Sequence, residues 1–303
     1  MTNVFLYVLT VFFWGTSWLA IKYQLGVVAP EVSVLYRMAA AAAILTAYCL
    51  FARRPMRFSP RDHGFMALQG VFLFSANYVL IYLGTQYLTS GLVAVAFSLI
   101  VVMNIAGTAL FFATPIRATM VLGAAAGIAG LALVFWPEIR AFDATRDGTA
   151  GLGLVLAGTF LAALGMLTSA RNQRHGLPVV QTNAFGMAYG ALVLVALTVG
   201  LGRPFAFDAS FPYVASLIYL ALFATVLAFG CYLTLLGRIG ADRAAYATVL
   251  FPLVALALST LFEGYQWTLS AGLGLVMVLL GNALIVTRGP LFGRTRPTRA
   301  RER

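Results

Sequence analysis

Two basic side chains lie within otherwise apolar stretches of the sequence. Lys22 ends the first apolar stretch, and Arg37 comes early in the second. An ionisable group in hydrocarbon is costly, so each of these residues calls for a partner or a role. Either cation can attract the carboxylate of a small solute. The alternative is that Lys22 extends toward the headgroups and Arg37 pairs with a helix end, with Glu31, in the loop predicted between them, as a partner for either.

Acidic and histidine side chains are absent from the interior of these apolar stretches. Asp242 and Glu263 lie at stretch ends, and His63 and His175 lie in predicted loops. Proton relays in membranes use an embedded acid or histidine, and catalysis there needs a cluster of such groups. The sequence therefore predicts neither an enzyme nor a metal site, and we expect no cofactor.

Aromatic and hydroxyl side chains recur inside the stretches at helical spacing. Trp14, Ser17 and Trp18 share one helix face, and Tyr78 and Tyr82 are one turn apart. Rings with hydroxyl tips suit an aromatic or large apolar amino acid, although helix packing and aromatic belts are alternative explanations. The candidate cavity residues are Trp14, Ser17, Trp18, Asn77, Tyr78, Tyr82, Ser98 and Tyr246, and Pro252 is the candidate kink or gate.

Ten apolar stretches of membrane length carry these residues. Of the 303 residues, 61% are hydrophobic and 10% are charged, whereas a soluble domain has about 25% charged residues. About 20 residues of helix cross the hydrocarbon layer, where backbone groups lack water partners. We predict an all-α polytopic membrane protein with a retained first span. The predicted spans are 4–23, 33–52, 64–84, 90–112, 119–136, 149–170, 178–200, 211–236, 242–262 and 267–287.

The distribution of arginines predicts how the chain sits in the membrane. With the N-terminus inside, the outer connections hold only Arg140, Arg146 and Arg203, and most other arginines fall on the inner side. Positive charge marks the cytoplasmic side, so both termini are expected there. The net charge of +11 is then a signal of orientation, with no nucleic-acid partner expected. The basic tail at 288–303 can contact anionic lipids or remain a solvated segment.

The second five spans resemble a diverged copy of the first five. Because five is odd, a tandem copy must insert upside down, which gives inverted repeats at 1–140 and 149–287. The repeat is asymmetric: Ile100 replaces Pro252, Ala113 replaces the acid Glu263, and Phe185 replaces Arg37. The glycines that align are Gly123 with Gly274 and Gly130 with Gly281.

Several motifs, in this order, resemble a known family. They are Trp14-Gly15-Thr16-Ser17-Trp18, Arg37, the run 88–94 with its echo at 240–245, Phe251-Pro252-Leu253 and Phe262-Glu263. Together they resemble the EamA-type branch of the drug/metabolite transporter superfamily, and within it the YddG-like exporters of aromatic amino acids. The resemblance implies ten helices in inverted repeats, a central cavity, and export of small metabolites across a bacterial inner membrane.

The expected function follows from both lines of reasoning. We expect a monomeric carrier for aromatic and other apolar amino acids that works by alternating access. Without a buried acid, movement down a gradient is favoured over proton coupling. The alternative is a carrier for another metabolite, such as a nucleotide sugar, a sugar phosphate or a drug-like solute, with or without proton coupling. Phosphorylated solutes would require several cations in the cavity.

Overall fold

The described part of the chain is built from helices and turns. The structure is a computed structural model that describes residues 2–24, 26–88, 90–142, 146–262 and 267–287. The main helices are α1 (Asn3–Lys22), α2 (Pro30–Phe51), α3 (Pro60–Gly84), α4 (Ser90–Ser98 and Ile100–Phe112), α5 (Ala118–Val134), α6 (Arg146–Arg174), α7 (Val179–Gly200), α8 (Phe211–Ile239), α9 (Ala247–Phe262) and α10 (Leu269–Thr287). Short helical turns at Trp136–Arg140 and Ala241–Ala244 precede α6 and α9.

Six of these helices are long and apolar enough to cross a membrane. They are α2, α3, α6, α7, α8 and the Val95–Phe112 part of α4. The apolar parts of α1, α5, α9 and α10 are shorter, with 10–17 residues each. At 1.5 Å per residue, the 17 residues of α5 span about 26 Å, somewhat less than a hydrocarbon layer of ~30 Å. Length and composition thus establish a polytopic membrane protein.

Several helices extend beyond the apolar stretches that predict them. α6 runs from Arg146 to Arg174, past the expected limits of 149 and 170, because charged residues can continue a helix into the headgroup region. α3 starts at Pro60, where the Ser59 hydroxyl accepts from the amide of Asp62. Proline suits this first position because its missing amide would have no helical partner.

α2 also starts earlier than expected, and this changes the role of Glu31. Pro30 begins the helix, so Glu31 lies in its first turn and the expectation of a loop is wrong. Its carboxylate is buried, contrary to the expectation that no acid is buried in the spans. It pairs with Arg203 at 3.2 Å, and not with Arg37. A carboxylate at a helix N-terminus is also favoured by the helix dipole.

Several contacts between helices have a counterpart in which each helix of α1–α5 is replaced by the equivalent helix of α6–α10, and the reverse. α2 packs along α7, and α5 packs along α10. The contact of α1 with α8 has a counterpart in that of α6 with α3, and the contact of α1 with α9 has one in that of α6 with α4. The interface between the two groups of five is therefore extensive and reciprocal.

Glycines allow a close approach between α5 and α10. A Cβ at Gly130 would lie 2.7 Å from the carbonyl oxygen of Gly274, and one at Gly274 would overlap the carbonyl of Gly130. Two helical turns further along α10, a Cβ at Gly281 would lie 2.9 Å from the carbonyl oxygen of Gly123. Small residues allow this backbone contact, which is the usual way to pack helices in lipid.

A stretch of π-helix interrupts the third helix of each group. It covers Phe72–Ala76 in α3 and Leu220–Leu227 in α8. Such turns are rare, occur often at functional sites, and widen the helix so that some backbone carbonyls lose their usual partners. No feature of the sequence analysis indicated them.

Candidate functional site

Arg37 is buried where α2, α3 and α8 meet. Only 3% of the residue is exposed, and it lies seven residues, about 10 Å, from the start of α2. Its Nε donates to the Thr225 hydroxyl at 2.7 Å, and its Nη2 lies 3.5 Å from the Tyr78 hydroxyl. Nη1 has no hydrogen-bond partner in the part of the chain that the structure describes. Among the described residues no carboxylate pairs with Arg37, so its positive charge is uncompensated.

Tyr78 supports the guanidinium of Arg37 from one side. The guanidinium carbon lies 5.0 Å from the centre of the Tyr78 ring, within the range of a cation–π contact. Tyr82, one turn further along α3 and 7% exposed, is close enough to interact electrostatically with the same cation. These neutral groups orient Arg37 but leave its charge available to an anion.

The π-helical part of α8 positions both Arg37 and Trp14. Thr225, the acceptor for Arg37, lies within it. Its neighbour Ala224 presents a backbone carbonyl that accepts from the indole Nε1 of Trp14 at 3.1 Å. A widened helical turn frees such carbonyls for outside donors. Consecutive residues of α8 therefore join the predicted cation to the predicted aromatic side chain.

Trp14 belongs to a group of rings beside this turn. Its ring centre lies 4.9 Å from that of Tyr232 and 5.1 Å from that of Phe229. Phe251, next to Pro252, lies at 6.3 Å. These separations are typical of tilted and edge-to-face aromatic pairs. The group forms an aromatic wall where α1, α8 and α9 meet.

Three other predicted residues use their side chains in hydrogen bonds to backbone carbonyls. Ser17 and Ser98 donate to carbonyls within their own helices, at 2.7 and 2.6 Å. Tyr246 is buried and donates to the carbonyl of Met120, which links the chain before α9 to α5. Pro252 lies inside α9, and its lack of an amide removes one helical hydrogen bond there.

Asn77 precedes Tyr78 and has a buried Oδ1 without a hydrogen-bond partner. An amide oxygen of this kind can accept a hydrogen bond from a ligand. The side chains of Trp18 and Lys22, the residue Glu263 and the tail 288–303 lie outside the described residues.

Polar contacts close the Pro30 end of this region. Gln24 donates to the carbonyl of Tyr213 at 2.9 Å and to the hydroxyl of Ser216 at 2.7 Å. Ser33 shares a hydrogen bond of 3.0 Å with the Tyr213 hydroxyl. These contacts join the end of α1 and the start of α2 to the start of α8.

A buried network of three amides was missed by the sequence analysis. Gln69 donates to Asn183 at 3.0 Å and accepts from Asn172 at 3.1 Å, which connects α3, α7 and α6. All three side chains are at most 1% exposed. Gln69, a single glutamine in an apolar span, could have indicated a buried polar contact. Its partner Asn172 could not be anticipated, because it lies beyond the predicted end of its span at residue 170.

Replacing Gln69 with leucine is expected to destabilise the protein. Two hydrogen bonds are lost, each worth on average about 0.6 and at most about 1.7 kcal/mol inside membranes, so the free energy of unfolding should fall by about 1–3 kcal/mol. Thermal unfolding in detergent measures this change. The matched control is Gln86→Leu at an exposed position, and equal midpoints for the two variants would contradict the prediction.

Comparison with known proteins places this architecture in a family. Residues 1–136 and 149–287 each match the EamA-like transporter family. Protein PagO of Salmonella typhimurium is 24% identical over 293 residues, which cover 96% of this chain and 95% of that protein. An uncharacterized transporter of Archaeoglobus fulgidus is 24% identical over 92% of this chain and 97% of its own length.

A further sequence relative and a solved structure also match over most of the chain. The uncharacterized transporter YvbV of Bacillus subtilis is 25% identical over 92% of this chain and 89% of its own length. A crystal structure superimposes with a TM-score of 0.79 at 15% identity, covering 94% of this chain and 96% of that one. Both matched ranges together span nearly the whole sequence. The chain is therefore a membrane transporter that belongs to the EamA-like transporter family.

Proposed function

We propose that this transporter exports amino acids, chiefly aromatic and other apolar ones, and binds their carboxylate at Arg37. The observation that carries the proposal is the buried guanidinium whose Nη1 has neither a hydrogen-bond partner nor, among the described residues, a counter-ion. Holding an unpaired charge away from water costs several kcal/mol, which a bound carboxylate would offset. A planar guanidinium also matches the two carboxylate oxygens in one plane.

Two groups linked through the chain to the contacts of Arg37 suit the remainder of an amino acid: Trp14 bonds to the residue before Thr225, and Asn77 precedes Tyr78. The aromatic wall at Trp14 offers ring faces and edges to an apolar side chain. The unpartnered Oδ1 of Asn77 is an acceptor of the kind an ammonium group requires. A zwitterion brings no net charge, so it fits a site with a single described cation better than a sugar phosphate does.

The proposed transport mechanism is alternating access by two inverted halves, α1–α5 and α6–α10. Reciprocal packing of α2 on α7 and of α5 on α10 supports this arrangement, as do the glycine contacts that pair Gly130 with Gly274 and Gly123 with Gly281. We propose that all ten helices cross a bacterial inner membrane, with both termini in the cytoplasm, because the arginine distribution favours that orientation.

Transport is proposed to be facilitated by the solute gradient alone. The described side chains that hydrogen-bond to Arg37 are the Thr225 hydroxyl and the Tyr78 phenol, and neither is a carboxylate or a histidine. The buried carboxylate of Glu31 already pairs with Arg203. A coupling proton would therefore need an acceptor other than the groups that contact Arg37.

Purified protein in liposomes tests the proposal. Uptake of labelled phenylalanine, threonine and a sugar phosphate is measured with and without a pH gradient. We expect saturable uptake of phenylalanine that exceeds that of threonine and is insensitive to the pH gradient. Absence of amino-acid uptake would refute the substrate class, and uptake of the sugar phosphate alone would favour a carrier for phosphorylated metabolites. Uptake that requires a pH gradient would refute the facilitated mechanism.

A further inference from the structure

An open cavity of about 540 Å³ lies at the ends of α4, α6 and α8, opposite the start of α2. Its lining includes Thr108 of α4, Ala170 of α6 and Leu236 of α8. Thr225, the partner of Arg37, lies eleven residues before Leu236, which is about 16 Å along the helix. A solute that moves between this cavity and the Arg37 site therefore passes the residues that lie between these two levels.

Three buried side chains lie one helical turn from that lining. Asn104, Met166 and Tyr232 each precede a lining residue by four positions, in α4, α6 and α8 respectively. Residues four apart share one face of a helix. All three are at most 2% exposed. Together they form a layer, the Met166 layer, between the open cavity and the more deeply buried turns of the three helices.

The sulfur of Met166 joins the three helices at this layer. The Tyr232 hydroxyl donates to Sδ at 3.1 Å, and Nδ2 of Asn104 donates to the same atom at 3.5 Å. A thioether is a weak acceptor, and it is carried on an unbranched, adaptable side chain. An oxygen acceptor can therefore replace the sulfur at little cost in free energy.

Asn104 also carries an acceptor that has no partner. Its Oδ1 is buried and, among the described residues, has no hydrogen-bond partner. Its Nδ2 also donates to the carbonyl of Ile100 in its own helix at 2.9 Å. A buried acceptor without a partner costs free energy, which a ligand that donates to it would offset. The Met166 layer therefore offers both donors and an acceptor to a passing solute.

On its other side the Met166 layer contacts the aromatic wall. The ring centre of Tyr232 lies 4.9 Å from that of Trp14. The indole of Trp14 donates to the carbonyl of Ala224, and the next residue, Thr225, accepts from Arg37. Direct contacts and adjacent residues therefore connect the layer to the Arg37 site.

We propose that the Met166 layer is a gate in the transport route, and that Asn104 and Tyr232 contact the solute as it passes. The gate opens when a solute oxygen replaces the sulfur as the acceptor for both donors, because oxygen is the stronger acceptor. The spare Oδ1 of Asn104 then accepts from a donor of the same solute. These side chains carry no charge, so the gate suits a zwitterionic amino acid better than a phosphorylated solute. That preference rests on the proposed function, whereas the position of the gate does not.

Thiol labelling tests the gate without any transported substrate. Cys49 and Cys231 are first replaced with alanine. A single thiol is then introduced one turn to either side of Met166, by Ala170→Cys in the cavity lining or by Ala162→Cys at a position that is 1% exposed. The rate of labelling by a water-soluble maleimide is measured in detergent. Each protein is compared with its Met166→Leu variant, which keeps a similar volume and removes the sulfur.

We expect the thiol at position 162 to label more slowly than the one at position 170. Met166→Leu should speed labelling at position 162 by about threefold to tenfold, the factor expected for the loss of one or two hydrogen bonds between membrane helices. Labelling at position 170 should not change. Equal rates at the two positions, or no acceleration at position 162, would overturn the gate.

Tyr232→Phe provides a second test if Met166→Leu does not fold. It removes one hydroxyl and keeps the ring, so labelling at position 162 should rise by about threefold. The matched control is Tyr189→Phe, because the Tyr189 hydroxyl contacts His63 and not Met166. The same acceleration in both tyrosine variants would contradict a gate at the Met166 layer.

Uptake of phenylalanine into liposomes tests the contact with the solute. Asn104→Leu should lower the initial rate by about tenfold or more, because a hydrogen bond to a charged group is lost. Its unfolding midpoint should stay level, since the variant also removes the unpartnered Oδ1. The control is Thr168→Val, whose hydroxyl donates within its own helix, and its uptake should be unchanged.

Normal uptake by Asn104→Leu would refute the contact with the solute, and a midpoint that falls in step with uptake would make Asn104 a structural residue. If the unchanged protein takes up no phenylalanine, the proposed substrate is wrong. The labelling rates still decide whether the Met166 layer is a gate.

Discussion

Replacing Arg37 with glutamine is expected to reduce the initial rate of phenylalanine uptake into liposomes by about tenfold or more. The variant keeps a polar side chain of similar reach but lacks the charge that pairs with the substrate carboxylate. A hydrogen bond to a charged group contributes about 1.5–3 kcal/mol, and each 1.4 kcal/mol is a factor of about ten in affinity. Initial rates at substrate concentrations below saturation measure the loss directly.

Stability distinguishes a binding role from a structural one for Arg37. Its Nη1 is buried without a partner, so removing the charge also removes a desolvation cost. The unfolding midpoint of Arg37→Gln should therefore stay level or rise while transport falls, as is common when a site is strained for function. Arg37→Lys keeps a charge but not the planar fork, and an intermediate rate is expected.

The control for charge is Arg57→Gln, an exposed arginine far along the chain from the site. It should transport at the unchanged rate. If Arg37→Gln transports phenylalanine normally, the proposed carboxylate site is wrong. If its midpoint drops in step with its transport, Arg37 is a structural residue.

Replacing Gly274 with alanine is expected to destabilise the contact of α5 with α10 by about 1–3 kcal/mol, the usual cost of overpacking. The new Cβ would overlap the carbonyl oxygen of Gly130 and lie 2.7 Å from the amide nitrogen of Val134. Both are backbone atoms, so the helices themselves must separate. A lower unfolding midpoint in detergent, with no change in helical content at low temperature, is the expected measurement.

Gly272 offers a matched control on the same helix, two residues away. A Cβ there would meet nothing within 4 Å, and alanine favours helix over glycine by up to about 1 kcal/mol. Gly272→Ala should therefore have an unchanged or higher midpoint. Similar losses for both variants would mean that the close approach of α5 and α10 is not what Gly274 provides.

The helices were predictable from the sequence because the solvent constrains them so strongly. In hydrocarbon a long apolar run can satisfy its backbone only as a helix, so the stretches alone placed the helices. Their ends were less predictable, as α6 and α2 illustrate. Charged residues such as Arg146 and Glu31 end the apolar pattern but not the helix, because the headgroup region accepts both helix and charge.

The candidate site was predictable in type but not in assembly. The cost of a charge in lipid singled out Arg37, and spacing singled out Tyr78. Contacts of Arg37 with Thr225 and of Trp14 with Ala224 join residues 188 and 210 positions apart. They depend on a π-helical turn in α8 whose residues carry no sequence signal that we recognised.

The sequence by itself determined that this protein is an all-helical membrane protein with a cation inside the apolar stretch of its second helix, and its motifs indicated the transporter family. These properties follow from the composition, from the spacing of residues along the chain and from the positions of charged residues. Each of these acts within one stretch of sequence or through the surrounding lipid and water. Only the tertiary structure decided that Arg37 faces Tyr78 and the widened turn of α8, that glycines bring α5 and α10 together, and that the sulfur of Met166 joins Tyr232 to Asn104. Each of these depends on which helices pack together, and packing in lipid is set by shape complementarity that no single stretch of sequence contains.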